Sequence, residues 1–82
     1  MHELGIAMSI LDAVRTEREK YPQARVAKVC LRIGEVSGVE PDALRFSFEV
    51  LVKDSDLDPL DLAIERPPGD DLQIAYLELE EE

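Results

Sequence analysis

The start of the chain carries a set of nitrogen donors that could bind a divalent metal ion. The free α-amine of Met1, the main-chain amide of His2 and the His2 imidazole lie close together along the covalent chain. The amine and the amide close one small chelate ring around a metal, and the amide with the δ nitrogen of the same histidine closes another. The amide of Glu3 or an incoming ligand would complete a square plane, which suits Ni(II) or Cu(II).

Taken alone, a histidine at position 2 is weak support for a metal site, because most chain ends are disordered and have no further role. The rest of the sequence offers few other ligands. His2 is the only histidine and Cys30 the only cysteine, so neither an internal disulfide nor a CxxC metal motif can form. The N-terminal donors are therefore the strongest metal-binding candidate in the chain.

Enzymatic catalysis has little support in the sequence. The serines are scattered, and no GxSxG, P-loop or GxGxxG pattern occurs. Lys28 and Arg32 flank Cys30 on a predicted strand face, which could make the thiol reactive, but a single strand cysteine is more often a packing residue. We predict that the chain is not an enzyme and assign Cys30 no functional role.

The charge balance restricts the class of partner. With 19 acidic and 9 basic residues the net charge is −10, which repels nucleic acid and anionic membranes. Such a surface suits a basic protein or a metal cation, although solubility alone is the more common reason for an acidic surface. The chain has no apolar run long enough to span a membrane and no signal-peptide pattern, so we expect a cytoplasmic protein.

Two helices are predicted from apolar residues spaced three or four apart. The first covers residues 3–20 and ends before Tyr21-Pro22, because proline cannot continue the hydrogen-bond ladder. The second begins at Pro41, whose missing N–H costs nothing at the first helical position, and ends before a polar connection at residues 54–59.

Three strands are predicted at residues 25–36, 61–65 and 72–79. In the first, strict alternation places Val29 with Ala27, Leu31 and Ile33 on one face and Val26 with Lys28, Cys30 and Arg32 on the other. In the last, alternation groups Leu72, Ile74 and Tyr76 against Gln73, Ala75, Leu77 and Leu79.

The element order α-β-α-β-β predicts a single α+β domain over residues 1–82. It would be a two-layer fold, with two helices on one face of a small three-stranded mixed sheet. A right-handed crossover should make the first two strands parallel, and the short link after Arg66 should turn the third antiparallel. The exposed strand edges make a homodimer conceivable, including one that exchanges a strand through residues 67–71.

Four segments of the sequence form a linked series that covers nearly the whole chain. Residues 1–11, 29–39, 41–49 and 71–79 resemble, in that order, the M-H-E-L-S-I-A, V-x-L-x-I-G-E-L-S-G-V, P-E-A-L-x-F-x-F-E and E-L-x-I-x-x-L-E-V segments of the HypA/HybF family. The resemblance implies delivery of Ni(II) to [NiFe]-hydrogenase or urease, with the GTPase HypB and the hydrogenase large subunit as partners. The implied nickel ligands are the Met1 amine, the His2 amide and imidazole, and the Glu3 amide.

The chain departs from that family at residues 66–71. Members carry a zinc module with two CxxC pairs between the last two strands, whereas here Arg66 runs through Pro67-Pro68-Gly69 to Asp70. One cysteine cannot build a four-cysteine zinc site, so we expect no zinc. Natural loss and deliberate removal of the module both remain open. A second departure is Gly5, where the family has serine and where glycine weakens a helix.

Two functions remain open at this point. In the first, the chain is a nickel carrier in hydrogenase maturation, with Met1, His2 and Glu3 as the metal site. In the second, it is a metal-independent protein-interaction module, or a variant of the family that lost its function together with the zinc module.

Overall fold

The computed structural model describes residues 2–81, which form two helices and three strands in the predicted order. Helix α1 spans Glu3–Arg18, strand β1 Ala24–Ile33, helix α2 Pro41–Val52, strand β2 Asp61–Glu65 and strand β3 Leu72–Glu81. Every predicted element is present, and most of the boundaries differ from the prediction by three residues or fewer. The predicted order α-β-α-β-β is confirmed.

The sheet has the order β2-β1-β3, with β1 in the centre. Strand β1 pairs parallel with β2, where Val29 lies opposite Leu62, and antiparallel with β3, where Val29 lies opposite Leu77. Both predicted directions are confirmed. Because β2 and β3 lie on opposite sides of β1, residues 66–71 must cross the end of the central strand.

Two irregularities in the pairing of β1 with β3 contradict the predicted alternation. Val26 pairs with Leu79 but Lys28 with Glu78, so Ala27 is an extra residue in β1. This bulge turns Val26 into the core beside Val29, and the predicted placement of Val26 on the outer face is wrong.

The second irregularity lies in β3. Cys30 pairs with Tyr76 but Leu31 with Ile74, which makes Ala75 an extra residue. Ile74 and Leu77 consequently both pack against the core, although strict alternation had placed them on opposite faces. A bulge shifts the side-chain phase by one residue, which a period-two pattern in the sequence cannot reveal.

Both helices lie on one face of the sheet, as predicted, and the core lies between the layers. Helix α1 packs on α2 and on β1. The side chains buried there are aliphatic or aromatic: Ala7, Ile10, Leu11, Val14, Val26, Val29, Leu31, Ile33, Val39, Leu44, Phe48, Val52 and Leu57. The described part of the chain contains no helix long and apolar enough to cross a bilayer.

Candidate metal centre

His2 lies at the N-cap of α1, directly before the first helical residue. Its carbonyl oxygen accepts a hydrogen bond from the Ile6 amide at 3.1 Å, which fixes the main chain of His2 to the first helical turn. The imidazole is exposed and makes no capping hydrogen bond. Met1, the other predicted donor, lies outside the described residues.

Glu3 is held by a contact between the two helix N-termini. Its carboxylate Oε2 accepts a hydrogen bond at 3.2 Å from the main-chain N–H of Glu40, the N-cap residue of α2. The Glu40 carboxylate in turn accepts from the Asp42 N–H at 3.2 Å. The first of these bonds is the main cause that holds the pKa of Glu3 below its ordinary value, because it stabilises the ionised carboxylate.

Sequence reasoning missed Glu40 as part of this arrangement. It precedes Pro41, and a proline at the first helical position marks the helix start, although glutamate is not one of the residues favoured at the N-cap. That signal locates the start of α2 but not the contact with Glu3, which joins residues 37 positions apart. Only the packing of α1 beside α2 brings these two groups together.

The main-chain nitrogen of Glu3, which is predicted as a nickel ligand, belongs to the first residue of α1. The first amides of a helix have no partner within that helix, and Glu3 is the first helical residue. No group of three or more His, Cys, Asp or Glu side chains able to hold a metal occurs within residues 2–81. The predicted site does not need one, because most of its nitrogens belong to the main chain.

The single cysteine lies away from this region of the chain. Cys30 is buried in the central strand, opposite Ala63 and Tyr76, and its Sγ lies 4.0 Å from the carbonyl oxygen of Leu31. This buried environment agrees with the packing role expected for it, and one thiol cannot supply a four-cysteine zinc site.

The link at residues 66–71 passes close to the end of β1. The main-chain N–H groups of Gly34, Glu35 and Val36 donate to carbonyl oxygens of the link, those of Asp71, Pro67 and Gly69, at 2.7–2.9 Å. The guanidinium of Arg66 donates to the carbonyl oxygens of Ile33 and Gly34 at 2.8 and 3.4 Å.

Gly34 and Gly69 are both required by this crossing. A Cβ atom at Gly34 would overlap the Gly69 carbonyl group. Gly69 itself has a φ of +100°, a conformation that other residues rarely adopt. The apolar residue Val36, predicted as part of β1, therefore belongs to the contact with the link instead.

The sequence matches a known protein family over most of its length. The family model described as HypA, hydrogenase/urease nickel incorporation, metallochaperone, matches residues 1–72. The chain belongs to this family. That description is of a metallochaperone rather than an enzyme, in agreement with the prediction from the sequence.

Curated relatives support the same family. The hydrogenase maturation factor HypA of Desulfatibacillum aliphaticivorans is 41% identical over 69 residues, which cover 83% of this chain and 53% of the relative. That of Azoarcus sp. (strain BH72) is 42% identical over 69 residues, covering 84% and 60%. The chain thus spans a little over half the length of these HypA relatives.

A solved structure shares the fold. The solution structure of the Ni metallochaperone HypA from Helicobacter pylori aligns with a TM-score of 0.76 over 100% of both chains, at 19% identity. This agreement confirms the predicted α+β fold, with its two helices and three-stranded mixed sheet, as the fold found in the HypA family.

Proposed function

We propose that this chain binds Ni(II) at its N-terminus and carries the ion in hydrogenase maturation. The family supports nickel as the cargo. The observation that carries the proposal is that residues 2 and 3 are held in place by hydrogen bonds while the His2 imidazole stays accessible. The helix fixes the His2 carbonyl and the Glu40 amide fixes the Glu3 carboxylate, while the imidazole is exposed.

The ligands in this proposal are the Met1 amine, the His2 amide and imidazole, and either the Glu3 amide or an incoming ligand. The positive end of the α1 dipole disfavours a bare cation but stabilises negative charge on an amide nitrogen. A site built from ionised amides therefore suits a helix N-terminus better than one built from neutral carbonyl groups.

Charge near the site also favours a cation. The carboxylates of Glu3 and Glu40 accept main-chain N–H groups at the start of α2, and these bonds leave their negative charge in place. The ion pairs found within residues 2–81 use other carboxylates, those of Glu17, Asp56, Glu65 and Glu80. The N-terminal end of the helix layer is therefore negative and has no paired arginine or lysine.

Several further parts of the proposal follow from the family alone. The ion would be passed on together with the GTPase HypB to a hydrogenase large subunit in the cytoplasm. No zinc would be bound, because residues 66–71 replace the zinc module that the family resemblance implies. A homodimer that exchanges β3 would first have to break the hydrogen bonds between the link and residues 34–36.

Substitution of His2 tests the site directly. His2→Ala should lower the Ni(II) affinity by more than about 100-fold, because the loss of a residue that merely orients a metal ligand lowers affinity by roughly 10- to 100-fold. Isothermal calorimetry on the purified protein measures this affinity, and urea unfolding checks that the domain remains folded. Gln73→Ala is the matched control, since Gln73 lines the same hollow as His2 and has no predicted metal role. Unchanged affinity in His2→Ala would refute the assignment.

The alternative, a metal-independent interaction module, makes a different prediction. Association with a partner such as HypB would then persist in the presence of a chelator and in His2→Ala. Under the carrier proposal, His2→Ala keeps the fold and loses nickel. If the protein still binds nickel when the Met1 amine is blocked and His2 is replaced, the N-terminus is not the site, and the interaction module would be the better explanation.

A further inference from the structure

An apolar groove runs between α1 and β3 on the helix-covered side of the sheet. Its first part, a hollow of about 620 Å³, is lined by Ile6 and Ile10 of α1 and by Leu72 and Ile74 of β3. A second hollow of about 440 Å³ continues it past Leu77 and Leu79. The two hollows share Ala13 and Ile74, so together they form one groove, named here the α1–β3 groove.

The groove exists because the two helices do not cover the whole sheet. Helix α1 lies over β1 and against α2, so the core-facing side chains of β3 are only partly covered. Leu72 remains 41% exposed and Leu79 37% exposed, although both pair with buried core positions of β1. On the helix side, Gly5, Ser9 and Ala13 are small and leave the groove open.

Strand β3 also offers unpaired main-chain groups along this groove. Within residues 2–81 it pairs only with β1, and its ten residues contain no proline or glycine. The other edge strand, β2, has five residues and is followed by two prolines. The β3 edge is therefore the longer of the two, and the bulge at Ala75 and three glutamates are the features of β3 that limit pairing with other strands.

Charge around the groove indicates what kind of segment fits. Among the described residues lining it, Glu17 is the one carboxylate, and none is a lysine or arginine. Asp70 and Asp71 precede β3, and Glu78 projects from its other face together with Glu80, which already pairs with Arg25. The net charge of −10 disfavours a second copy of this chain and favours a basic partner.

We propose that the α1–β3 groove binds an extended segment of a basic partner protein, which adds to β3 as a fourth strand. Alternate apolar side chains of that segment would enter the groove, and lysine or arginine side chains between them would face the carboxylates of β3. A segment of about eight residues would cover most of the edge, at roughly 3.3 Å per residue.

The position of the groove has a consequence for metal transfer. His2 lines the same hollow as Leu72 and Gln73, so a bound segment would lie beside the proposed nickel donors. The link between docking and metal transfer rests on the proposed function. Docking of the segment does not depend on nickel and is tested on metal-free protein, so the docking proposal and the nickel proposal can fail independently.

A labelled peptide of alternating valine and lysine, about eight residues long, is the probe. Fluorescence anisotropy measures its affinity for the metal-free protein. Ala13→Glu places a larger acidic side chain inside the groove, whereas Thr16→Glu adds the same charge on α1 at a residue that does not line it. If the peptide binds in the groove, Ala13→Glu should weaken its binding by at least about tenfold, and Thr16→Glu should not weaken it.

A second peptide separates strand addition from attraction by charge. Methylation of its main-chain nitrogens keeps every side chain and every charge but removes the hydrogen-bond donors. The proposal predicts loss of binding by this peptide, and slower amide exchange along Leu72–Glu81 when the unmodified peptide is bound. Equal binding of both peptides, or tighter binding by Ala13→Glu, would overturn it. A dimer that Ala13→Glu dissociates, seen by sedimentation, would also overturn it by showing a second copy as the occupant.

Discussion

Two neighbouring segments at one end of the sheet are built in opposite ways. In the link at residues 66–71, main-chain carbonyl groups are paired with residues 34–36, and glycines allow close backbone contact. In the N-terminal segment, the helix anchors the main chain of His2 and the Glu40 N–H anchors the carboxylate of Glu3, while the His2 imidazole is exposed and makes no capping hydrogen bond. We therefore expect the link to stabilise the domain and the N-terminal segment to gain a ligand without losing structure.

This difference bears on the short connection between β2 and β3. A connection that did not fit the end of β1 would leave main-chain groups unpaired there. The carbonyl oxygens of the link instead accept hydrogen bonds from the three consecutive amides of residues 34–36. Arg66 donates to two further carbonyl oxygens, those of Ile33 and Gly34. We therefore expect substitutions in the link to change folding stability and substitutions at the N-terminus to change nickel binding.

The largest stability effect is expected at Gly34. Gly34→Ala should lower the free energy of unfolding by about 3 kcal/mol, because the added Cβ overlaps the main chain of Gly69. Urea unfolding at neutral pH measures the change, and the nickel affinity of the folded fraction should be unaffected. A variant as stable as the parent would show that the link does not pass over Gly34 as described.

A smaller loss is expected when the side chain that holds the link is shortened. Arg66→Met keeps the aliphatic stem but removes the hydrogen bonds to the carbonyl oxygens of Ile33 and Gly34. The free energy of unfolding should fall by about 1–2 kcal/mol. Arg45→Met is the comparison, since Arg45 bonds one carbonyl oxygen, that of Leu62, away from the link. A larger loss in Arg45→Met would weaken the role given to the link.

At the N-terminal segment the corresponding glycine substitution should act in the opposite direction. Apart from its chain neighbours and the backbone of its own helix, nothing lies within 4 Å of a Cβ built at Gly5, which is in the first turn of α1. Gly5→Ala should therefore raise the free energy of unfolding by up to about 1 kcal/mol through helix propensity, with nickel affinity unchanged. Destabilisation by Gly5→Ala would mean that the start of α1 is more tightly packed than described.

The smallest effect is expected from the carboxylate of Glu3. The Glu40 N–H lowers the pKa of this carboxyl group in the folded protein below its ordinary value of 4.5. The ionised carboxylate therefore stabilises the fold at pH values above 4.5, and this stabilisation is lost as the pH falls through the lower pKa of the folded protein. Glu3→Gln should remove that part of the acid dependence and weaken nickel binding by a few-fold. Unfolding followed between pH 3 and 6, roughly the range around a carboxyl pKa, measures it. An unchanged pH profile would contradict the contact with Glu40.

Periodicity in the sequence predicted the helices and strands because they bury apolar faces, and the connections between the strands predicted their directions. The bulges at Ala27 and Ala75 could not be predicted, since they depend on how β1 and β3 are paired. Gly34 could be recognised as a break in the strand pattern, but its cause is contact with a link more than thirty residues away.

The nickel site itself stays a prediction. The donors at Met1, His2 and Glu3 were proposed from local covalent chemistry and from resemblance to the family. The contact between Glu3 and Glu40 depends on packing of the two helices. The α1–β3 groove could not be predicted either, because it reflects the part of the sheet that the helices leave uncovered.

Under the proposed function, the free amine of Met1 binds nickel. A Ni(II) titration, followed by calorimetry and visible absorption, tests this binding in protein beginning at Met1 beside protein extended by two residues before Met1. We expect one equivalent of Ni(II) with a square-planar, diamagnetic spectrum in the first protein and loss of that signal in the extended one, since the extension removes the Met1 amine. Equal binding and an identical spectrum in both proteins would contradict it.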